Sequence, residues 1–85
     1  MSKLSRYIQK RRVKLGISQA ALARELGMSS PQMISNIERS FNGCALPPSH
    51  FRKVSCILEI DMGKIISMYV GDIKNKLYEE YFYGT

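Results

Sequence analysis

The stretch Ile17-Ser-Gln-Ala-Ala-Leu-Ala-Arg-Glu-Leu-Gly-Met-Ser-Ser-Pro-Gln-Met-Ile-Ser-Asn-Ile-Glu-Arg39 decides how this chain folds. It reads as two short helices joined by a tight turn. Ser18 is placed to cap the first, whose buried side includes Ala21, Leu22, Ala23 and Leu26. Ala23 is small where two helices must approach closely. Gly27 offers the positive φ that the turn needs. The second helix starts after Ser29 or Ser30, with Pro31 in its first turn, where no backbone N–H is missed. Ile34 and Ile37 point to a core, with Met33 alongside. At about 100° per residue the opposite face carries Gln32, Ser35, Asn36 and Arg39.

That face is polar, yet it holds one charge. A helix that only covers a core usually shows Lys and Glu to water. Amide and hydroxyl groups donate and accept, which suits base edges in a major groove. The charge distribution points the same way. The 85 residues carry a net charge of +6, with a pI near 9.6. Residues 1–14 hold Lys3, Arg6, Lys10, Arg11, Arg12 and Lys14 and no acid, while the basic and acidic residues from Leu15 onward balance. The whole excess sits in one segment. A one-sided basic surface attracts a polyanion, because each neutralised phosphate releases counterions. A solvated helix face is the plainer alternative. A membrane surface fits poorly, since Leu4, Ile8 and Leu15 alone would face lipid and no lipidation motif is present.

Working outward, a first helix is predicted from about Lys3 to Lys14, with Leu4, Ile8 and Leu15 along one face and Gly16 as its left-handed cap. A loop from Ser40 to Pro48 follows the central pair, with a turn at Asn42-Gly43 and a stiff exit at Pro47-Pro48. A fourth helix is expected from a Ser49 cap, burying Phe51, Val54, Ile57 and Leu58, with Cys56 buried beside them. A fifth starts near an Asp61 cap and carries Ile65, Ile66 and Tyr69 until Gly71 weakens or ends it. Asp72 to Tyr83 is again helical in pattern, with Ile73, Leu77 and Tyr81 recurring every four residues. Asp72 with Lys76, and Lys76 with Glu80, have the spacing of intrahelical ion pairs. No β-alternation appears, so the fold class is all-α.

Together these elements resemble the phage repressor and Cro type of helix-turn-helix domain, the XRE family. The matching residues are Ile8-x3-Arg12, Gly16-Ile17-Ser18-Gln19, Leu22-Ala23, Leu26-Gly27 and Ile34-x2-Ile37-Glu38-Arg39. Phe51, Val54, Ser55, Leu58, Ile60 and Ile65-Ile66 match the later helices. The resemblance covers roughly residues 4–67. It implies a five-helix DNA-binding domain over 1–67, with a C-terminal helical extension over 68–85. Ser30, Gln32, Ser35 and Asn36 would read bases. Lys10, Arg11, Ser18, Gln19 and Arg39 would contact phosphates, and Gln19 would also help orient the first amide of the reading helix. Arg12 and Glu38 match a pair that forms an internal salt bridge in some relatives.

The chain departs from the family pattern in three places. Six residues separate Gly27 from Ile34, where most relatives have five, so Ser30 and Gln32 are alternatives for the first base reader. The loop from Ser40 to Pro48 contains no Lys or Arg, and the basic first helix is expected to compensate. The tail runs past the usual end of the family's domain.

Tyr69, Tyr78, Tyr81, Phe82 and Tyr83 gather aromatics in that tail. Tyr69, Ile73, Leu77 and Tyr81 are candidates for an interface, either in a homodimer or with another protein, as in an antitoxin; packing on the chain's own core is the alternative. The expected partners are double-stranded DNA and a second copy. With two cysteines, Cys44 and Cys56, and His50 as the single histidine, neither a disulfide nor a metal site is expected. No cofactor loop, carboxylate pair or nucleophile constellation is present, so no enzymatic role is expected. No signal peptide or membrane-spanning run is seen, and the expected location is the cytoplasm.

Overall fold

The computed structural model describes residues 2–83. Five helices follow in order: α1 (Lys3–Lys14), α2 (Gln19–Glu25), α3 (Pro31–Arg39), α4 (Phe51–Leu58) and α5 (Met62–Tyr78). Short 3₁₀ turns at Phe41–Gly43 and Pro48–His50 lead into α4, and a π-turn at Glu79–Tyr83 continues α5. No strand occurs among the described residues.

Local chemistry sets the helix ends. Ser2 Oγ accepts the Ser5 N–H at 3.0 Å to start α1, and Ser18 Oγ accepts the Ala21 N–H at 3.0 Å to start α2. The end of α2 is a Schellman motif, with the Met28 N–H donating to the Ala23 carbonyl at 2.8 Å and Gly27 at φ +73°. A side chain there would meet no neighbour, so glycine answers a backbone requirement rather than a packing one. The same motif closes α4, where the Ile60 N–H donates to the Ser55 carbonyl at 3.0 Å. Here the left-handed position is Glu59, at φ 54°.

One apolar cluster holds the helices together. Leu4 and Ile8 of α1, Leu22 and Leu26 of α2, Ile34 and Ile37 of α3, Val54 and Leu58 of α4, and Ile65 of α5 are all buried in it. α1 is the central element, packed on α3, α4 and α5, while α2 lies on α3.

Several details differ from the sequence-based expectation. Ser49 does not cap α4; it lies in the 3₁₀ turn that begins at Pro48, and α4 starts at Phe51 without a side-chain cap. Proline at the first position of that turn favours the tight geometry, because its missing N–H has no bond to lose there. Cys56 is exposed rather than buried, since it stands about 200° from both Val54 and Leu58 around the helix. Met33 and Ile66 are also exposed, at 41% and 48%. Gly71 neither breaks nor ends α5. Its helix-propensity cost of roughly 1 kcal/mol is outweighed by anchors on both sides, Ile65 in the core and Asp72 against α1. The expected division after Ser67 therefore falls inside one helix. The pairs Asp72–Lys76 and Lys76–Glu80 do not form, Arg12–Glu38 being the ion pair present among the described residues. The Tyr83 side chain lies outside the described part of the molecule.

The left-handed cap at Glu59 yields a stability prediction. An L-residue pays roughly 1–2 kcal/mol for that conformation, so Glu59→Gly is expected to raise the unfolding free energy by about 0.5–1 kcal/mol after its own entropy cost. Urea denaturation checks this, and a loss of stability would contradict it.

Candidate nucleic-acid interface

The outer face of α3 is built on a buried carboxylate. Glu38 is 1% exposed. Its Oε2 accepts Arg12 Nε at 2.6 Å and its Oε1 accepts Arg12 NH2 at 3.0 Å. Gln19 Nε2 donates to the same Oε1 at 3.0 Å, and Arg12 NH1 donates to the Ile17 carbonyl at 2.9 Å. One fork thus ties α1, the start of α2 and the end of α3. A planar guanidinium matches a carboxylate in two parallel bonds. Every buried side-chain polar atom among the described residues has a partner.

With Glu38 turned inward, the other side of α3 faces water. Gln32 and Arg39 are exposed, and Ser35 and Asn36 are half-buried. Gln32 Nε2 donates to Asn36 Oδ1 at 2.9 Å, and Arg39 NH2 donates to the same oxygen at 3.3 Å. Arg39 also lies over the Phe41 ring, 5.3 Å from its centroid. Arginine has donors only, so it fixes which way the Asn36 amide points. The Asn36 NH2 and the Gln32 Oε1 make no hydrogen bond within the described chain. The two side chains together therefore offer one donor group and one acceptor. Ser30, the half-buried N-cap residue of α3, makes no side-chain capping bond, which leaves its hydroxyl uncommitted.

A helix-turn-helix family model matches residues 8–65. The chain belongs to the XRE-type helix-turn-helix family. No match was found among curated proteins or solved structures. At the level of the family, this XRE-type domain is a DNA-binding transcription regulator. In it α2 and α3 are the two helices of the motif, and α1, α4 and α5 are the support that holds them.

Two expected phosphate contacts stand elsewhere. Arg11 is half-buried, donating from Nε to the Leu58 carbonyl at 3.1 Å and from NH2 to the Glu59 carbonyl at 3.5 Å. A cation there satisfies carbonyls that α4 leaves unpaired at its negative end. Lys10 is exposed beside Lys3, Arg6, Tyr7 and Met68, between α1 and α5. It points about 200° away from Arg12, the residue that joins α1 to α3. The basic helix therefore does not make up for the uncharged loop after α3 on the α3 side. Ser18 and Gln19 lie at the start of α2 as expected, but the Gln19 amide is held by Glu38.

The tail candidates also separate. Tyr69 is half-buried, its ring edge-to-face with Phe51 at 5.1 Å, and it belongs to this chain's own core. Ile73, Leu77 and Tyr81 are exposed, and Ile66 and Val70 join them. The spacing Ile66, Val70, Ile73, Leu77 makes one apolar stripe along α5. The sequence pattern concealed it, because Ile65 and Tyr69 beside it carry the same apolar signal and face inward. A second omission is Asp72. Its carboxylate accepts Ser2 Oγ at 2.7 Å, the Lys3 N–H at 2.9 Å and the Leu4 N–H at 3.2 Å. No local motif announces a cap that lies some seventy residues from the helix it serves.

The Arg12–Glu38 fork makes its own prediction. Arg12→Met or Glu38→Leu alone should cost about 3–5 kcal/mol, because each leaves a buried charge or its partners uncompensated. The double variant should lose less than either single variant. Thermal or urea unfolding of the set measures this, and additive losses would contradict it.

Proposed function

We propose that this chain is a homodimeric repressor that reads an inverted-repeat operator through α3 in the major groove. The observation that carries it is the α3 face, where hydrogen-bonding groups outnumber charges and two amides are held in a fixed relation. Ser30, Gln32, Ser35 and Asn36 are the proposed base readers. Adenine presents an acceptor and a donor in the major groove, which complements the Gln32 acceptor and the Asn36 donor. Arg39, Ser18 and Gln19 are the proposed phosphate contacts that fix the register. Repression follows by occupancy, the bound protein excluding polymerase from the same DNA. The proposed place of action is the cytoplasm; among the described residues no helix is long and apolar enough to cross a membrane.

The second copy is supported by the α5 stripe. Val70 is 55% exposed and Ile66, Ile73 and Leu77 are each more than two-fifths exposed. Four apolar side chains in line on a helix are a liability in water unless covered. A symmetric pairing through α5 would bury the same patch on each copy. It would also set two α3 helices for half-sites about 34–36 Å apart.

Selection of sites from a random duplex library tests the reading, with affinities measured at two salt concentrations. The expected product is an inverted repeat with half-sites about one helical turn apart. Salt-sensitive binding with no enriched motif would refute sequence reading. Gln32→Ala or Asn36→Ala should relax the preference at one position per half-site, worth about 1–3 kcal/mol of discrimination. Arg39→Ala should weaken all sequences and also blur the preference at the Asn36 position, whose amide Arg39 orients. For the dimer, Leu77→Glu should give a monomer in sedimentation that still binds a single half-site weakly. A wild-type monomer would instead leave the α5 face to a partner protein, as in an antitoxin.

A further inference from the structure

α1 carries a second charged surface, distinct from the α3 face. Lys3, Arg6, Lys10 and Lys14 are all exposed. At 100° per residue they fall within an arc of about 80°, as one stripe roughly 16 Å long. None has an acid within ion-pair distance among the described residues. Across from them on α5, Lys64 Nζ lies 4.4 Å from the Tyr7 ring centroid. The stripe and α5 border a shallow groove of about 330 Å³, lined by Lys3, Arg6, Tyr7, Lys10 and Met68. Asp72 is the carboxylate that meets α1 nearby, and its oxygens are turned to Ser2 and to backbone N–H groups.

Position separates this surface from the reading helix. Arg12 is the residue by which α1 grips Glu38 of α3. Lys3 stands about 180° from Arg12 around α1, and the rest of the stripe clusters around Lys3. The body of α1, about 10–12 Å across, therefore lies between Arg6, Lys10 and Lys14 and α3, while Lys3 stands at the end nearest α3, next to Ser2, whose N–H donates to Ser40 Oγ. That thickness exceeds the screening length of about 8 Å at physiological ionic strength. Cations so placed do little for a duplex held on α3.

We infer that the α1 stripe is a sequence-independent site for the phosphate backbone of a second DNA segment, so that one protein holds two duplexes together. The patch has the chemistry for this occupant. Its cations outnumber its apolar groups, which are half-buried Tyr7 and Met68 and exposed Val13 at the edge, whereas protein interfaces are depleted in lysine and centred on buried aromatic or apolar groups. A lipid surface would need an apolar face, and Leu4 and Ile8 of this helix are buried in the core. This inference rests on α3 being the operator-binding face.

The test uses the full chain and two labelled duplexes, one carrying the selected operator and a donor dye, the other unrelated in sequence and carrying an acceptor. With operator saturating the α3 helices, energy transfer reports capture of the second duplex across a salt series. The variant Arg6→Gln/Lys14→Gln removes two exposed cations and no core contact, and circular dichroism checks its fold. Expected is an operator affinity within about threefold of wild type at roughly 0.15 M salt, where charges this distant are screened. Capture should weaken at least fivefold, with its log–log salt slope smaller in magnitude by about 1.8. Capture that persists in the variant, or none by the wild type, overturns the inference. So does binding of the wild type to phosphatidylserine vesicles without capture of DNA. Failure of the wild type to select an operator would count instead against the reading of α3. The stripe would then still be judged by the drop in unrelated-duplex binding.

Discussion

The geometry of this domain depends on keeping one carboxylate, that of Glu38, out of water. A lone buried carboxylate would be strongly unfavourable. Three donors from Arg12 and Gln19 surround this one. Their geometry leaves little freedom, since a guanidinium fork and a carboxylate match in one plane. The orientation of α3 about its own axis follows from that match. So does the set of side chains that α3 turns outward. Hydrophobic burial of Ile34 and Ile37 would tolerate small rotations of the helix, whereas a planar, directional bond does not.

The reading face and the support are thus chemically divided. Inside, charge is fully paired and oriented. Outside, α3 presents mainly neutral amides and hydroxyls, with Arg39 at the far end of the row. A neutral face discriminates among bases without holding every duplex tightly. Affinity for the polyanion must then come from cations elsewhere or from doubling the site. The exposed stripe on α5 supplies a candidate for doubling, whereas the exposed cations on α1 face away from the reading side of α3 and bear on a second duplex instead.

Much of this arrangement was legible in the residues. Local signals were reliable: the Ser18 cap, Gly16 and Gly27 in left-handed turns, Pro31 at a helix start, and the apolar spacing of Leu22, Leu26, Ile34 and Ile37. The helix boundaries of α1 and α3 follow from such cues. Less legible was anything set by the far side of a helix or by a distant partner. Cys56 looked like a core residue because its neighbours are apolar, yet its phase turns it outward. Ile66 and Ile65 give the same signal in sequence and face opposite environments. Arg11 and Lys10 are adjacent basic residues, but one caps α4 and the other borders a groove against α5. For the candidate interface, the row on α3 was evident from phase alone. The pairing of Gln32 with Asn36, and the withdrawal of Arg11 from the surface, required three-dimensional neighbours.

The bond between Asp72 and the first turn of α1 joins residues about seventy positions apart. A contact of that separation closes a long loop, whose entropy is lost before the bond rewards it. During synthesis α1 emerges first and waits for α5 before its N–H groups acquire this partner. A nascent chain that has already made both helices of the motif still lacks the bond that ties α5 to the first turn of α1.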